Sequence, residues 1–367
     1  MEIYQLANGD SVYRRHKSIV IPFAAVRKVL STSVMNGGYR EDLTAVFNHD
    51  CSPETGTASG LQASGYEAYM CSVAENMGLN PPHVSGMATA ALMDNVAIQA
   101  DEYKNLNVAA LVTGGIEVNG GRVGDPAAYF KPVERSSLQK SGTINIILSV
   151  NADMPPGTLA RALVTCTEAK TAALQELMAG SKYSSGLATG SGTDQTMIIA
   201  NPSSPLYLES AGKHSKLGEL IGNVVKKAVK EALFKQTGLS PEKQHSLLRR
   251  LQRFGVNEEM IWEKHRNFCR NPIDRARFRE LLSCLDRQDG LVVFTSLYVH
   301  LLDQLNWQLL SPEEVYWGGT ALLAVAARQF GVEAPSITGT DMEAYLEAWA
   351  SMLAGIVEQT VKKESGG

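Results

Sequence analysis

The sequence is short of the signals that mark membrane and secreted proteins. Its five cysteines are widely spaced and include no CxxC pair, which argues against a disulfide framework and favours reduced thiols in a cytoplasm. The start, MEIYQLANGDSVYRRHK, lacks the apolar core of a signal peptide. The longest apolar run, LVVFTSLYVHLL at 291–302, contains His300 and is too short to span a bilayer. We therefore predict a cytoplasmic protein with no membrane span.

The best-known catalytic and ligand-binding motifs are missing as well. The sequence has no HExxH, no Gly-x-Ser-x-Gly nucleophile elbow and no Gly-Lys-Ser/Thr that would complete a Walker A loop. His49 and Cys51 lie two residues apart, which is a weak zinc signal, and we predict no metal site. Lysine and arginine (34) nearly balance aspartate and glutamate (38) without forming a basic stripe, so nucleic acid is not an expected partner.

The predicted secondary structure changes near Gly238. Before it, runs rich in Val, Ile and Thr predict strands, and three segments (within 57–78, at 156–180 and at 215–238) predict helices. After it, arginine-rich amphipathic patterns predict helices only, with ends at Asp289-Gly290 and Phe330-Gly331. We expect an α+β domain at 1–237, with a largely antiparallel sheet packed against helices, and an all-α domain at 238–367.

Two glycine-rich turns stand between strand-like runs. Asn36-Gly37-Gly38 lies between VRKVLSTSV and LTAVFNH, which predicts a hairpin turn or, alternatively, a site that His49 and Cys51 help to complete. The segment 111–126 contains Asn119-Gly120-Gly121, which also favours a hairpin. Asp125 after it is either the start of the next loop or a carboxylate of a site.

The helix TCTEAKTAAL at 165–174 crowds polar side chains into little more than one turn. Thr167, Lys170 and Thr171 fall on one face, with Glu168 to one side. A carboxylate and an ammonium held near each other could serve as general base and electrostatic stabiliser. The alternative is an exposed ion pair of little energetic value, and spacing alone does not decide between them.

Two further segments are candidates for chemistry. The loop in SGLATGSGTDQTMIIA at 185–200 could bind an anion or an oxyanion through backbone N–H groups and hydroxyls, or it is a turn in which Asp194 holds its own backbone. His214 lies just before a helix that Ser215 is predicted to cap. The helix dipole disfavours a charged imidazole there, so His214 is either a proton acceptor or a structural residue.

Several ordered segments together resemble the adenosylcobinamide amidohydrolases of the CbiZ family, over residues of about 26–234. The segments that carry this resemblance are VLSTSVMNGGYRED, LVTGGIEVNGGRVGD, GTINIILSVNADMPPGTLARALVTCTEAKTAALQEL, SSGLATGSGTDQTMI and AGKHSKLGELIGNVVKKAVKEAL. The resemblance implies that adenosylcobinamide loses aminopropanol, or its phosphate, by amide hydrolysis to give adenosylcobyric acid in cobalamin salvage. The corrinoid is then the substrate and no cofactor is expected. The helical segment after 238 lies outside the resemblance and is a candidate for homodimerisation.

Amide hydrolysis needs a base or nucleophile, donors for the oxyanion and an acid for the leaving amine. We assign Glu168 as the base, Lys170 as the charge stabiliser, Asp194 with the loop at 190–193 to orientation and the oxyanion, and His214 as the acid. The predicted substrate-binding residues are Asn36, Gly37, Gly38, His49, Asp125, Asn145, Thr167, Gly192 and Thr193.

Two alternatives stay open. One is a threonine nucleophile, because Gly142-Thr143 and Gly192-Thr193 resemble the self-cleavage sites of N-terminal-nucleophile hydrolases. The other is a protein that binds a corrinoid or another metal chelate without hydrolysing it. The cluster at 167–170 favours a hydrolase, because a binding protein does not need it.

Overall fold

The computed structural model describes residues 1–52, 65–126, 142–268 and 273–365. The chain divides into two compact units. The first comprises Met1–Tyr183 with Leu187–Ser240, and the second comprises Ser184–Gly186 with Pro241–Gly367. The predicted fold class is confirmed, since sheets and helices mix in the first part and the rest is helical. In the described part of the chain, no helix is long and apolar enough to cross a bilayer.

The first unit contains two main sheets whose strands are numbered along the chain. The first sheet consists of β1 (Glu2–Gln5), β2 (Ser11–Arg15), β3 (Ser18–Pro22), β6 (Ala45–Asp50) and β7 (Val84–Thr89), in that order. The second consists of β4 (Lys28–Ser31), β5 (Gly38–Arg40), β8 (Ala97–Tyr103), β9 (Leu106–Gly114), β11 (Ile144–Val150) and β13 (Gln195–Ala200). Its order is β5-β4-β13-β11-β9-β8. Most neighbouring strands are antiparallel, but β6 with β7 and β11 with β13 are parallel.

Three helices cover the two sheets: α1 (Tyr66–Asn76), α2 (Pro156–Glu176) and α3 (Lys216–Thr237). Because side chains alternate along a strand, β9 turns Ala109 and Leu111 towards the first sheet and Val108 and Val112 towards α2 and α3. The outer face of the first sheet packs on α1 through a separate apolar cluster. The layers therefore run α1, first sheet, second sheet, then α2 with α3. Residues 57–64 of the helix predicted within 57–78 lie outside the described residues.

The hairpin predicted at 36–38 forms, but with a different second strand, and the hairpin predicted at 119–121 is wrong. Asn36-Gly37-Gly38 leads from β4 into β5, and β5 pairs with β4 from Gly38 to Arg40, whereas the run that was expected to pair there forms β6 in the other sheet. Gly120 and Gly121 form a short strand β10 (Gly120–Gly121) that pairs with β12 (Gly190–Ser191) far along the chain. Turn residues specify a local bend, but they do not specify the strand that the chain meets afterwards.

The second unit is helical in its described residues. Its helices are α4 (Pro241–Gln244), α5 (Leu247–Gln252), α6 (Glu258–Phe268), α7 (Arg275–Asp286), α8 (Asp289–Asn306), α9 (Pro312–Phe330) and α10 (Met342–Ser365). Tyr298 stacks on Trp349 with ring centroids 4.3 Å apart in the core. Gly331 ends α9 with a left-handed φ of 71°, as predicted. Asp289-Gly290 instead begins α8, where the Gln288 side chain accepts from the Leu291 N–H.

Candidate active site

One buried polar cluster of the first unit surrounds the ion pair of Lys170 and Asp194. The Lys170 ammonium donates to Asp194 Oδ2, and both side chains are only 11% exposed. Asp194 Oδ1 also accepts from the Ile144 N–H at 2.8 Å and from the Ser191 hydroxyl at 2.6 Å. One carboxylate thus connects α2, the β12–β13 turn and the first residue of β11.

Glycine at position 190 makes room for this pair. A Cβ at Gly190 would lie 2.3 Å from Asp194 Oδ2 and 2.7 Å from Lys170 Nζ, closer than any side chain tolerates. Gly192, two residues on, has nothing within 4 Å of such a Cβ. The two glycines of one loop therefore have different roles, since Gly190 permits the buried contact and Gly192 lies in open space.

Hydroxyl and amide groups extend the cluster along the segment before β11. Thr143 Oγ1 lies 2.6 Å from Thr193 Oγ1, and Thr193 Oγ1 donates to the Gly142 carbonyl oxygen at 3.1 Å. The side chain of Asn119 donates from Nδ2 to the same oxygen at 2.5 Å. A cleft of about 150 Å³ opens beside Gly142 and Thr143. The cluster therefore combines a hydroxyl, two donors on one carbonyl and a buried ion pair, and its Gly142-Thr143 segment lines the cleft.

A second network of hydrogen bonds lies between the two sheets and includes Asn145, two residues after Thr143. Asn145 Nδ2 donates to Asn48 Oδ1 at 2.8 Å, and Asn48 Nδ2 donates to Thr113 Oγ1 at 2.8 Å. Asn145 is 1% exposed, and no donor in the described ranges reaches its Oδ1. A buried amide oxygen without a donor is costly unless a ligand or water satisfies it. Asn145 is therefore placed next to the cluster, with an oxygen still able to accept.

The other predicted catalytic residues lie elsewhere. Glu168 is 41% exposed and forms its ion pair with Lys213, at 3.3 Å, and not with Lys170. Residues two apart on a helix face different directions, which accounts for this separation. His214, beside Lys213, is exposed, and Ser215 caps α3 as predicted by accepting from the Gly218 N–H. Glu168 and His214 thus belong to a solvent-facing edge, separate from the Lys170–Asp194 pair.

The side chains of His49 and Cys51 make contacts within the protein that indicate structural roles. His49 Nδ1 lies 2.7 Å from Ser18 Oγ and Nε2 lies 3.0 Å from the Tyr69 hydroxyl. Burial lowers the pKa of His49 to about 4, so the ring is neutral at pH 7. The Cys51 thiol donates to the Thr89 carbonyl, and burial raises its pKa to about 11. Both groups are held in place, and the thiol is not a thiolate nucleophile at neutral pH.

The remaining predicted binding residues make contacts within the protein. Asn36 Nδ2 donates to the carbonyls of Pro81 and Val84, each at 2.7 Å. At Gly37, a Cβ would lie 2.0 Å from the Ser33 carbonyl oxygen, so close packing of the chain itself requires that glycine. Gly38 has a φ of 82°, which favours glycine as well. This turn therefore has a structural explanation that involves no ligand.

Asp125 and Thr167 also bond locally. Asp125 Oδ2 accepts from the Arg122 N–H at 2.7 Å and from the Ser181 hydroxyl at 2.6 Å. Thr167 Oγ1 donates to the Leu163 carbonyl one helical turn earlier, so its hydroxyl faces its own helix. In the part of the chain that the structure describes, no group of three or more His, Cys, Asp or Glu side chains is arranged to hold a metal ion.

Sequence reasoning missed Asn119 and the hydrogen bond that its side chain donates to the Gly142 carbonyl. Asn119 stands in a glycine-rich turn, where the sequence favours a hairpin, but the residue is 8% exposed and its side chain donates to a backbone carbonyl. A Cβ at Gly142 would lie 2.2 Å from Asn119 Oδ1. The only sequence signal is the Gly142-Thr143 pair, which resembles a self-cleavage site.

Comparison with known proteins identifies the class of this chain. The family model described as CbiZ, adenosylcobinamide amidohydrolase, matches residues 3–241. The chain belongs to that family, as its motifs predicted. The match covers Asn119, Thr143, Lys170 and Asp194.

The individual relatives give less information about function than the family match does. The Methanocaldococcus jannaschii protein named Uncharacterized protein MJ1613 is 34% identical over 238 residues, which is 62% of this chain and 89% of the relative. The PH0078 protein from Pyrococcus horikoshii OT3, known from a crystal structure, is 12% identical with a TM-score of 0.25, and the match covers 64% of this chain and 80% of the other. A TM-score that low carries no argument about fold or function.

Proposed function

We propose that the protein hydrolyses the amide bond that joins aminopropanol, or its phosphate, to the corrinoid of adenosylcobinamide, releasing adenosylcobyric acid. Membership of the adenosylcobinamide amidohydrolase family supports the reaction class. The corrinoid is the substrate in this reaction, and the chemistry is carried by side chains of the protein.

The observation that carries the proposal is the buried Lys170–Asp194 pair beside the hydroxyl of Thr143. Acyl transfer requires a nucleophile, donors for the oxyanion and fixed charges in a site shielded from water. Asp194 holds the N–H of Ile144 and thereby fixes the residue that follows Thr143. The cluster supports catalysis at Thr143 better than it supports Glu168, whose carboxylate is paired in solvent.

The cleft beside Gly142 and Thr143 is small compared with the substrate. At about 150 Å³, it is below the roughly 300 to 1,000 Å³ of sites that enclose a drug-sized ligand. It suits the amide arm of the substrate, with the corrin ring lying outside it.

The direct test is to incubate the purified protein with adenosylcobinamide and to quantify free aminopropanol and adenosylcobyric acid by mass spectrometry. We expect both products in equal amounts, with neither formed by heat-denatured protein. Binding of the corrinoid without either product would refute the hydrolase and favour a corrinoid-binding protein.

A further inference from the structure

The peptide bond between Gly142 and Thr143 has an unusual environment for backbone outside a strand. Its carbonyl oxygen accepts from two side chains, Asn119 Nδ2 at 2.5 Å and Thr193 Oγ1 at 3.1 Å. Two donors on one carbonyl are the arrangement that stabilises a tetrahedral oxyanion. Because the acceptor is a carbonyl oxygen, the Asn119 amide must present its NH₂ group, so this orientation follows from the chemistry.

The hydroxyl of Thr143 lies against that of Thr193. Thr193 has a single hydroxyl proton, which it donates to the Gly142 carbonyl. When Thr193 donates to that carbonyl, Thr143 is the donor in the 2.6 Å contact between the two hydroxyls. The lone pairs of Thr143 Oγ1 stay available for attack, and its proton has a path through Thr193 towards the Gly142 carbonyl oxygen.

The surrounding groups leave this peptide little freedom. A Cβ at Gly142 would lie 2.7 Å from the Gly115 carbonyl oxygen as well as against Asn119, so only glycine fits. On the far side, the Thr143 carbonyl accepts from the Gly115 N–H at 3.2 Å and Asp194 accepts from the Ile144 N–H. Thr143 itself is 5% exposed. Such preorganisation is what proximity catalysis requires.

We propose that the chain cleaves its own Gly142–Thr143 bond and that Thr143 then acts as an N-terminal nucleophile. Thr143 Oγ1 attacks the Gly142 carbonyl carbon, forming a C–O bond. The C–N bond then breaks as the oxyanion re-forms the carbonyl, and the hydroxyl proton, relayed through Thr193, ends on the Thr143 nitrogen. The resulting ester is hydrolysed by one water molecule, which leaves a Gly142 carboxylate and restores the Thr143 hydroxyl.

Cleavage converts a backbone amide into an amine at the reacting residue. A free α-amine can take the proton of its own hydroxyl, as in other threonine nucleophiles. In a step that rests on the proposed function, Thr143 Oγ1 then attacks the amide carbonyl of the corrinoid arm, aminopropanol leaves, and water releases the ester. Asn119 and Thr193, freed from the Gly142 carbonyl, would donate to the substrate oxyanion.

The test follows the purified full chain over days at neutral pH by intact mass and N-terminal sequencing. We expect conversion to two fragments, 1–142 and 143–367, with the second starting Thr-Ile-Asn-Ile-Ile. Thr143→Ser should still cleave, Thr143→Ala should stay intact, and Asn119→Ala should cleave roughly 100-fold more slowly. Thr44→Ala, at an exposed threonine before β6, is the matched control and should cleave like wild type.

Folded wild-type protein that stays intact would overturn the proposal, as would cleavage of Thr143→Ala at the same bond. Far-ultraviolet circular dichroism checks that each variant is folded. The outcome is separable from that of the corrinoid assay. Cleavage without corrinoid hydrolysis would refute only the proposed function, and hydrolysis by a chain that remains intact would refute only self-cleavage.

Discussion

Lys170 and Asp194, which are 24 residues apart and lie on different elements, form an ion pair that is almost shielded from solvent. Burying two charges is expensive unless each is compensated. Asp194 compensates by accepting from two backbone N–H groups and one hydroxyl in addition to Lys170. The pair therefore contributes a fixed local field more than it contributes stability.

Removing one partner of this pair should be costly. We expect Asp194→Ala to lower the free energy of unfolding of the first unit by about 3 kcal/mol, because Lys170 would be left as a buried charge. The double variant Lys170→Met with Asp194→Ala should recover part of that loss. Amide hydrogen exchange of β11 and β13 measures the effect. A loss below about 1 kcal/mol in the single variant would contradict the buried-pair argument.

Gly190, in β12, and Gly192, in the turn after it, offer a matched pair of substitutions. Gly190→Ala should reduce corrinoid hydrolysis by at least about tenfold, since its Cβ would enter the space of the Lys170–Asp194 contact. Gly192→Ala should leave kcat/KM within about twofold, because that Cβ meets nothing. Equal effects of the two variants would show that the ion pair does not control activity.

Glu168 was the first choice of base from the sequence, and that assignment can be tested directly. Its carboxylate is paired with Lys213 on the surface, and exposed pairs of this kind contribute little. We expect Glu168→Gln to change kcat/KM by less than about threefold, which corresponds to well under 1 kcal/mol. A loss of several hundredfold would instead identify Glu168 as the base and contradict catalysis at Thr143.

The lowered pKa of His49 predicts that the first unit loses stability in acid. Its pKa falls from 6.5 to about 4 on folding, so the unfolded chain binds a proton first as the pH falls. Stability from this group is fully present above about 6.5 and is lost between 6.5 and about 4, by on the order of 3 kcal/mol.

The measurement is hydrogen exchange of β3 and β6 amides between pH 7 and pH 4, for wild type and His49→Gln. The difference between the two proteins isolates this one group. All four tryptophans lie in the second unit, so their fluorescence reports that unit separately and should respond equally in both proteins. Identical pH profiles in the first unit would contradict the neutral, buried histidine.

Much of the fold could be predicted because its signals are local. The Val- and Ile-rich runs became β9, β11 and β13, and the cap at Ser215 and the stop at Gly331 are where the sequence placed them. The hairpin at 36–38 has β5 and not β6 as its second strand, and the one at 119–121 does not form, because strand pairing is decided by the whole sheet. A turn motif carries no information about a partner strand 70 residues away, such as β12 for β10.

The site was only half predictable for a similar reason. Lys170, Asp194, Asn145 and Thr193 were all named from the sequence, but the partner assigned to Lys170 was its helical neighbour Glu168. Helical spacing specifies which residues share a face, and it does not specify which other segment that face meets. The sequence does not show that the Asn119 side chain donates to the Gly142 carbonyl, because that contact depends on the tertiary structure.

The central claim is that the cluster around Thr143 hydrolyses adenosylcobinamide, and one comparison tests it most directly. Aminopropanol release should be measured for wild type, Thr143→Ser and Thr143→Ala at equal enzyme and corrinoid concentrations. We predict equimolar aminopropanol and adenosylcobyric acid with wild type, a reduced rate with serine, and a loss of at least about 1,000-fold with alanine. Release by Thr143→Ala at the wild-type rate, or corrinoid binding by wild type without any release, would contradict the account.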